Sequence, residues 1–280
     1  MADRAAGKVV LVTGASSGIG AAVAREFARR GAAVALLARR AERIAALARE
    51  LEHSGRRALA IPCDVTRDGD LEGAVERVVG EFGRLDVAVA NAGFGVVGEL
   101  AALTLDDYRR QFETNVFGVL RTAYAALDAL GASRGTLVLV GSVSGYLAAP
   151  GASPYAMSKF AVRALAEGVR PELARLGIGV VLVTPGYVDS EIRGVDNEGR
   201  FHPGAREPVP RWLRMPAERA ASKIVRAALR RRQERVITFH GALGAFLARH
   251  APRLTRWLLA RARPGRPGAR RNPPTASASR

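Results

Sequence analysis

Tyr155 and Lys159 stand four residues apart in a chain with 43 basic residues but only three lysines, Lys8, Lys159 and Lys223. On a helix that spacing puts both side chains on one face, one turn apart. An ammonium beside a phenol stabilises the phenolate, so the tyrosine is expected to titrate below its ordinary value of about 10. A phenol tuned in this way can give a proton to a carbonyl oxygen or take one from an alcohol. Ser142, thirteen residues before the tyrosine, adds a hydroxyl to the same stretch. The spacing alone also fits an exposed helical pair with no chemistry, so the surrounding elements must decide.

Residues 8–13 (KVVLVT) are mostly apolar, as a strand buried on both faces of a parallel sheet requires. They lead into Gly14-Ala15-Ser16-Ser17-Gly18-Ile19-Gly20 and then a helical pattern closed by Gly31. In that order, the glycines allow a tight turn and let a pyrophosphate approach the helix N-terminus. A turn of purely structural use is the plainer alternative. The second strand, 33–38, runs into Arg39-Arg40, with no acid until Glu42. An acid there would bind a ribose 2′-hydroxyl, whereas arginine suits a 2′-phosphate, through charge-assisted hydrogen bonds worth ~1.5–3 kcal/mol. NADP(H) is therefore the expected cofactor, with NAD(H) the weaker candidate. The missing acid is the stronger indication, because one residue in seven is arginine.

Strand and helix patterns then alternate, with strands at 57–63, 85–90, 136–140 and 178–183. The intervening helices reach to about 82, cover 105–130, and run from the Tyr155 region to about 176. Such alternation implies right-handed crossovers and a doubly wound parallel α/β sheet with helices on both faces. A helix over 216–232 and a short strand at 236–239 complete a single domain of residues 1–239.

TGASSGIG at 13–20, NAG at 91–93, Asn115, Ser142, YAMSK at 155–159 and Pro185-Gly186 resemble, in order and spacing, the motifs of the short-chain dehydrogenase/reductase family. The resemblance covers about residues 7–239. It implies a Rossmann fold and hydride transfer between a nicotinamide and a carbonyl or secondary alcohol. It also implies a tetrad of Asn115, Ser142, Tyr155 and Lys159. Tyr155 would be the proton donor or acceptor, and Ser142 would stabilise charge on the substrate oxygen. Lys159 would lower the tyrosine's pKa and hold the nicotinamide ribose, and Asn115 would anchor a water linking Lys159 to solvent.

The cofactor contacts implied by the same resemblance begin with Gly14, Ser16, Ser17, Gly18, Ile19 and Gly20, followed by Arg39 and Arg40. Asp64 and Val65 would meet the adenine, Asn91, Ala92 and Gly93 would form the floor, and Pro185, Gly186, Val188 and Ser190 would lie near the carboxamide. Tyr155 and Lys159 would contact the cofactor as well, and no metal is expected. Two positions depart from the family pattern: Ala90, where many members have a second asparagine, and Ser190, where threonine is commoner. Taken singly, Ser142 could be a strand-end cap and Asn115 a polar bulge in a helix. A non-catalytic NADP(H)-binding sensor or scaffold of the same fold is the alternative function.

The formal charge of +17 is concentrated late in the chain: residues 221–280 hold fifteen Lys or Arg and one acid, Glu234. Residues 240–262 place Leu243, Phe246, Leu247, Leu254, Trp257 and Leu258 at helical spacing opposite Arg249, Arg253 and Arg256, with Pro252 dividing two short helices. Packing on the protein's own surface or on a second subunit is the first expectation, and peripheral contact with a membrane surface the second. A homo-oligomer is expected. Residues 263–280 read as a disordered Arg/Pro/Gly/Ser tail without a nucleic-acid recognition motif. No apolar run reaches the ~18 residues of a membrane span, and the seven residues before the first strand are too few for a signal peptide. These features predict a cytoplasmic protein, with the membrane surface as its other station. Cys63, the single cysteine, reads as a buried structural thiol. By the same resemblance, residues 187–215 correspond to the family's variable lid. Here it is polar, and its large apolar members, Ile192, Val195, Phe201, Trp212 and Leu213, favour a small, apolar aliphatic or ring ketone as substrate. Phe94, Val96, Val97, Tyr146, Leu147 and Tyr187 are candidates for the rest of the pocket wall.

Overall fold

Successive residues of a strand point to opposite faces, so a run that is apolar throughout must be covered on both sides. The computed structural model, which describes residues 5–205 and 207–261, does this with seven parallel strands in the order β3-β2-β1-β4-β5-β6-β7. The strands are β1 (Val9–Thr13), β2 (Ala33–Ala38), β3 (Ala58–Pro62), β4 (Val87–Ala90), β5 (Thr136–Val140), β6 (Gly179–Thr184) and β7 (Glu234–Val236). On one face Val10, Val12, Val34, Leu36, Val138 and Val181 pack against α1 (Gly18–Arg29), α2 (Ala41–His53) and α7 (Ala217–Leu229). On the other, Leu11, Leu37, Leu137, Leu139 and Leu182 meet α3 (Asp70–Phe82), α5 (Gly118–Ser133) and α6 (Ser153–Ala174). Each fully buried Val or Leu contributes about 1.5–3 kcal/mol relative to exposure. The chain leaves β1 for β2 on one side and returns to β4 on the other. The carboxyl ends of β1 and β4 therefore flank the crevice in which open α/β sheets bind ligands.

Two elements differ from the sequence expectation. The helix expected over 105–130 is α4 (Leu105–Phe112) and α5 joined through a single wide π turn, Glu113–Phe117. That turn sits where Asn115 is fully buried, and its side chain is held by three hydrogen bonds to other elements. The last strand ends at Val236, because Thr238 caps the next helix by accepting from the Gly241 amide at 3.2 Å.

That helix, α8 (Phe239–His250), is followed after Ala251 by α9 (Pro252–Arg261), with Pro252 at the first helical position. The expectation that their large apolar residues pack on the domain is not met. Gly241 and Ala245 are the buried residues of α8, and Thr255 is the buried one of α9. Phe239 is 85% exposed and Trp257 52%, and Leu243, Phe246, Leu254 and Leu258 are exposed too. A small-residue face is needed because α8 approaches the segment after β5 closely: a Cβ at Gly241 would lie 2.6 Å from Val143 Cγ2. The expected tail lies outside the described residues. Among the described residues, no helix is long and apolar enough to cross a membrane, and no group of three or more His, Cys, Asp or Glu could hold a metal.

Candidate active site

The turn after β1 needs glycine at particular points. Gly14 and Gly18 have φ of +67° and +53°, in the left-handed region that favours glycine. A Cβ at Gly20 would fall on the Gly14 carbonyl oxygen and within 2.6 Å of Asn91 Nδ2. Asn91 stitches the two strand ends together: its Nδ2 donates to Thr13 O at 2.9 Å, while the Asn91 and Ala92 amides donate to Thr13 Oγ1 at 3.0 Å. At the start of α1, Ser17 makes no side-chain cap and the first turn holds no acid. The helix dipole and its N-terminal amides thus face the turn without an acid of the helix's own first turn to neutralise them, an arrangement suited to a pyrophosphate.

Ser142 follows β5, and its Oγ accepts from the Ser144 amide at 3.1 Å. The hydroxyl proton remains available, and Ser142 acts on the Tyr155 hydroxyl, favouring its ionised form. Tyr155 and Lys159 occupy the first two turns of α6. Beneath them, Asn115 Oδ1 accepts from the Phe94 amide at 3.1 Å, and its Nδ2 donates to Phe94 O at 3.0 Å and Ser158 Oγ at 3.2 Å. Ser158 Oγ in turn donates to Tyr155 O at 2.7 Å. Asn115 therefore locks the loop after β4 to the turn of α6 that carries the tyrosine, a role that explains both its burial and the π turn.

The Tyr155 hydroxyl does not titrate below its ordinary value in this arrangement, contrary to the expectation from spacing. Lys159 Nζ donates to Val140 O at 2.9 Å and lies 5.8 Å from the centre of the Tyr155 ring. Burial pushes the Tyr155 hydroxyl above its ordinary value, and the Ser142 hydroxyl and the charge of Arg193 reverse only part of that. Burial also pulls Lys159 down to about 8. Desolvation outweighs the pairwise attraction for both groups. Cys63 is buried beside the same region, and burial pushes its thiol up to about 12, so it is a poor nucleophile.

A cleft of about 500 Å³ runs along these strand ends. Sixteen of the tetrad and cofactor-contact residues expected from sequence line it: Gly14, Ser16, Ser17, Gly18, Ile19 and Gly20; Arg39 and Arg40; Asp64 and Val65; Asn91, Ala92 and Gly93; Tyr155, Lys159 and Ser190. Ser142 is not part of that wall but reaches it through Tyr155, and Asn115 lies behind it. Pro185 O accepts from the Val143 amide at 2.9 Å, and Gly186 lies against Thr238 and His240, where a Cβ would come within 2.5 Å of both side chains. Val188 is buried and bridges to Met215 at the base of the lid. Of the two arginines, Arg40 holds the turn, donating to Ser16 Oγ at 2.9 Å and Ser17 Oγ at 2.8 Å. Arg39 is exposed and reaches Gly199 O at 3.4 Å across the cleft.

The lid is tied down by polar contacts. Asn197 exchanges two 3.0 Å hydrogen bonds with the Val97 backbone, Arg193 pairs with Glu207 at 2.6 Å, and Arg214 pairs with Asp189. Ile192, Val195 and Phe201 face the cleft, whereas Trp212 is 82% exposed and takes no part in it. Sequence reading missed Glu191 and Arg193 in the lid and His240, whose Nε2 accepts from the Tyr187 amide at 3.0 Å. Nothing in their local sequence marks them. Thr13 and Ser158 lie inside quoted motifs and could have been chosen as hydroxyls flanking the glycine turn and the tyrosine.

The model of the family described as "short chain dehydrogenase" matches residues 8–200. The chain belongs to the short-chain dehydrogenase family. It is 41% identical over 226 residues to an A-factor type gamma-butyrolactone 1′-reductase (1S-forming) of Streptomyces virginiae, covering 79% of this chain and 86% of that protein. It is 39% identical over 203 residues to 11-beta-hydroxysteroid dehydrogenase A of Arachis hypogaea, covering 72% of this chain but only 57% of that protein's length. Among solved structures, an alcohol dehydrogenase from Thermococcus sibiricus complexed with 5-hydroxy-NADP superposes with a TM-score of 0.71 at 30% identity, covering 82% of this chain and 95% of the other. At the level of the family, the chain is a nicotinamide-dependent oxidoreductase acting on alcohols or carbonyls.

Proposed function

We propose that this protein is an NADP(H)-dependent oxidoreductase of a small, apolar ketone or the corresponding secondary alcohol. The observation that carries this reading is the convergence of Ser142, Tyr155 and Lys159 beside a glycine turn whose helix start is uncapped. When bound, the nicotinamide supplies or accepts the hydride. The chain's own residues handle the proton and the oxygen. Tyr155 gives a proton to the carbonyl oxygen in reduction, or takes one from the hydroxyl in oxidation, and Ser142 donates a hydrogen bond to that oxygen. Lys159 supplies positive charge one turn from the phenol, favouring the phenolate once the proton has left. Asn115 positions the tyrosine through Ser158. An apolar substrate is supported by Ile192, Val195 and Phe201 on the lid side and by the ring-bearing substrates in the relatives' names. A panel of aliphatic and ring ketones, read by NADPH absorbance, tests the reading. Nucleotide binding without turnover of any member would favour a sensor or scaffold of the same fold.

The NADP(H) preference is supported by Arg39 and Arg40 at the cleft and by the absence of an acid between β2 and Glu42. NADPH is expected to bind at least about tenfold more tightly than NADH, the effect of one charge-assisted contact. Because Arg40 bridges to Ser16 and Ser17, Arg40→Ala is expected to reduce that ratio more than Arg39→Ala. Calorimetric titration of both nucleotides checks this, and equal wild-type affinities would remove its basis.

Burial of Lys159 sets a pH dependence. With its amine near 8, the ammonium is lost as pH rises through that value, while the elevated Tyr155 hydroxyl keeps its proton. Carbonyl reduction is therefore expected to decline through an apparent pKa near 8. A rate profile flat from pH 7 to 9 would contradict this role for Lys159.

The exposed apolar residues of α8 and α9 are assigned first to contact with a second copy of the chain. Truncation after Ala251, which keeps the buried face of α8, is expected to change the sedimentation behaviour and not to affect flotation with anionic liposomes. Flotation of the full-length chain alone, weakened by salt, would instead indicate a lipid surface.

A further inference from the structure

One acid in the cleft answers to none of the roles above. Glu191 opens the 3₁₀ turn Glu191–Gly194 of the lid, and its carboxylate lies on the arginines that follow β2. Arg40 Nη1 donates to Glu191 Oε2 at 3.0 Å, and Arg43 Nη1 donates to Oε1 at 2.8 Å and to Oε2 at 2.9 Å. Ser17 Oγ accepts from Arg40 at 2.8 Å, and its hydroxyl favours the ionised Glu191 carboxylate. Phe201, farther along the lid, lies under both guanidinium groups, 5.7 Å from that of Arg40 and 5.4 Å from that of Arg43. Burial would push the Glu191 carboxyl up, but the hydrogen bonds from Arg43 and Arg40 and the Ser17 hydroxyl more than reverse this and hold it below the usual range.

The same contact pins the lid to the start of α1. A Cβ at Gly18 would lie 2.9 Å from Ser190 Cβ, so Ser190 and Glu191 rest on the glycine turn itself. Six residues, Ser16, Ser17, Gly18, Ser190, Glu191 and Phe201, line both the 500 Å³ cleft and a neighbouring groove of about 750 Å³. The Glu191 contact is thus the wall between two spaces that its release would join.

We propose that Glu191 is a cofactor-selectivity residue acting from the lid, by competing with the 2′-phosphate of NADP(H) for Arg40, Arg43 and Ser17. This rests on the NADP(H) reading above. A phosphate monoester and a carboxylate ask for the same donors, and two anions cannot share them without like-charge repulsion. A nucleotide with a bare ribose brings no such anion, and Glu191 can stay in place and accept from its hydroxyls. The acid missing after β2 is in this sense supplied from 151 residues away. Glu191 therefore narrows the preference for NADP(H), and loss of its charge widens it.

Glu191→Gln keeps the shape and removes the charge. In the full-length chain it is expected to tighten adenosine 2′,5′-bisphosphate and NADPH about tenfold, with 5′-AMP and NADH within about twofold. In an Arg40→Ala background the gain should largely disappear, as coupled neighbours require. Without nucleotide, tryptic cleavage at Arg193 or Arg200 should be faster in Glu191→Gln than in wild type. Bisphosphate affinity that is unchanged or weaker in Glu191→Gln overturns the proposal, whatever the wild-type preference. Wild-type indifference between NADPH and NADH, together with a tightened variant, would overturn the NADP(H) reading and leave the competition standing. Tightening of 5′-AMP by the same factor would also overturn it, since Glu191 would then obstruct nucleotides in general.

Discussion

Tyr155→Phe is expected to reduce kcat at least about a hundredfold on any ketone or alcohol that the wild-type chain turns over, with NADPH affinity within about twofold. The substitution removes one oxygen and keeps the ring, which packs beside Gly95 in the cleft wall. That oxygen is the group on which Ser142 acts, so its loss removes the proton route and leaves the serine without it. Lys159 holds Val140 O rather than the phenol, so its position should not change. Single-turnover kinetics alongside nucleotide titration separate the two effects. Retention of a tenth of wild-type kcat would mean that another group moves the proton.

Gly20→Ala should have the second large effect, on the fold of the site rather than on its chemistry. The added methyl would collide with the Gly14 carbonyl and with Asn91 Nδ2, the atom that ties β4 to the end of β1. Neither neighbour is the flexible end of a long side chain. Overpacking of this kind costs about 1–3 kcal/mol, which in a chain of this size lowers Tm by roughly 2–10 °C. Nucleotide binding should fall at least about tenfold, because the N-terminal amides of α1 would be displaced from their present direction. Gly73→Ala is the control, since a Cβ there meets nothing within 4 Å. Equal melting temperatures and nucleotide affinities for the two variants would refute the assigned close approach.

The sequence by itself determined the sheet, the glycine turn and the stretch that carries the tyrosine. These follow from rules acting over a few residues: alternation of faces in a strand, left-handed backbone at Gly14 and Gly18, and the one-turn offset between Tyr155 and Lys159. Only the tertiary structure decided the electrostatics. The same offset promised a lowered tyrosine pKa, but burial raises Tyr155 and lowers Lys159, and desolvation depends on every element packed around a group. It also decided which face of α8 is inward, since Gly241 fits against Val143 where a larger side chain would not. The contact of Glu191 with Arg40 joins residues from the lid and the end of β2. No periodicity or spacing records it, because the fold alone brings those two segments within hydrogen-bond reach.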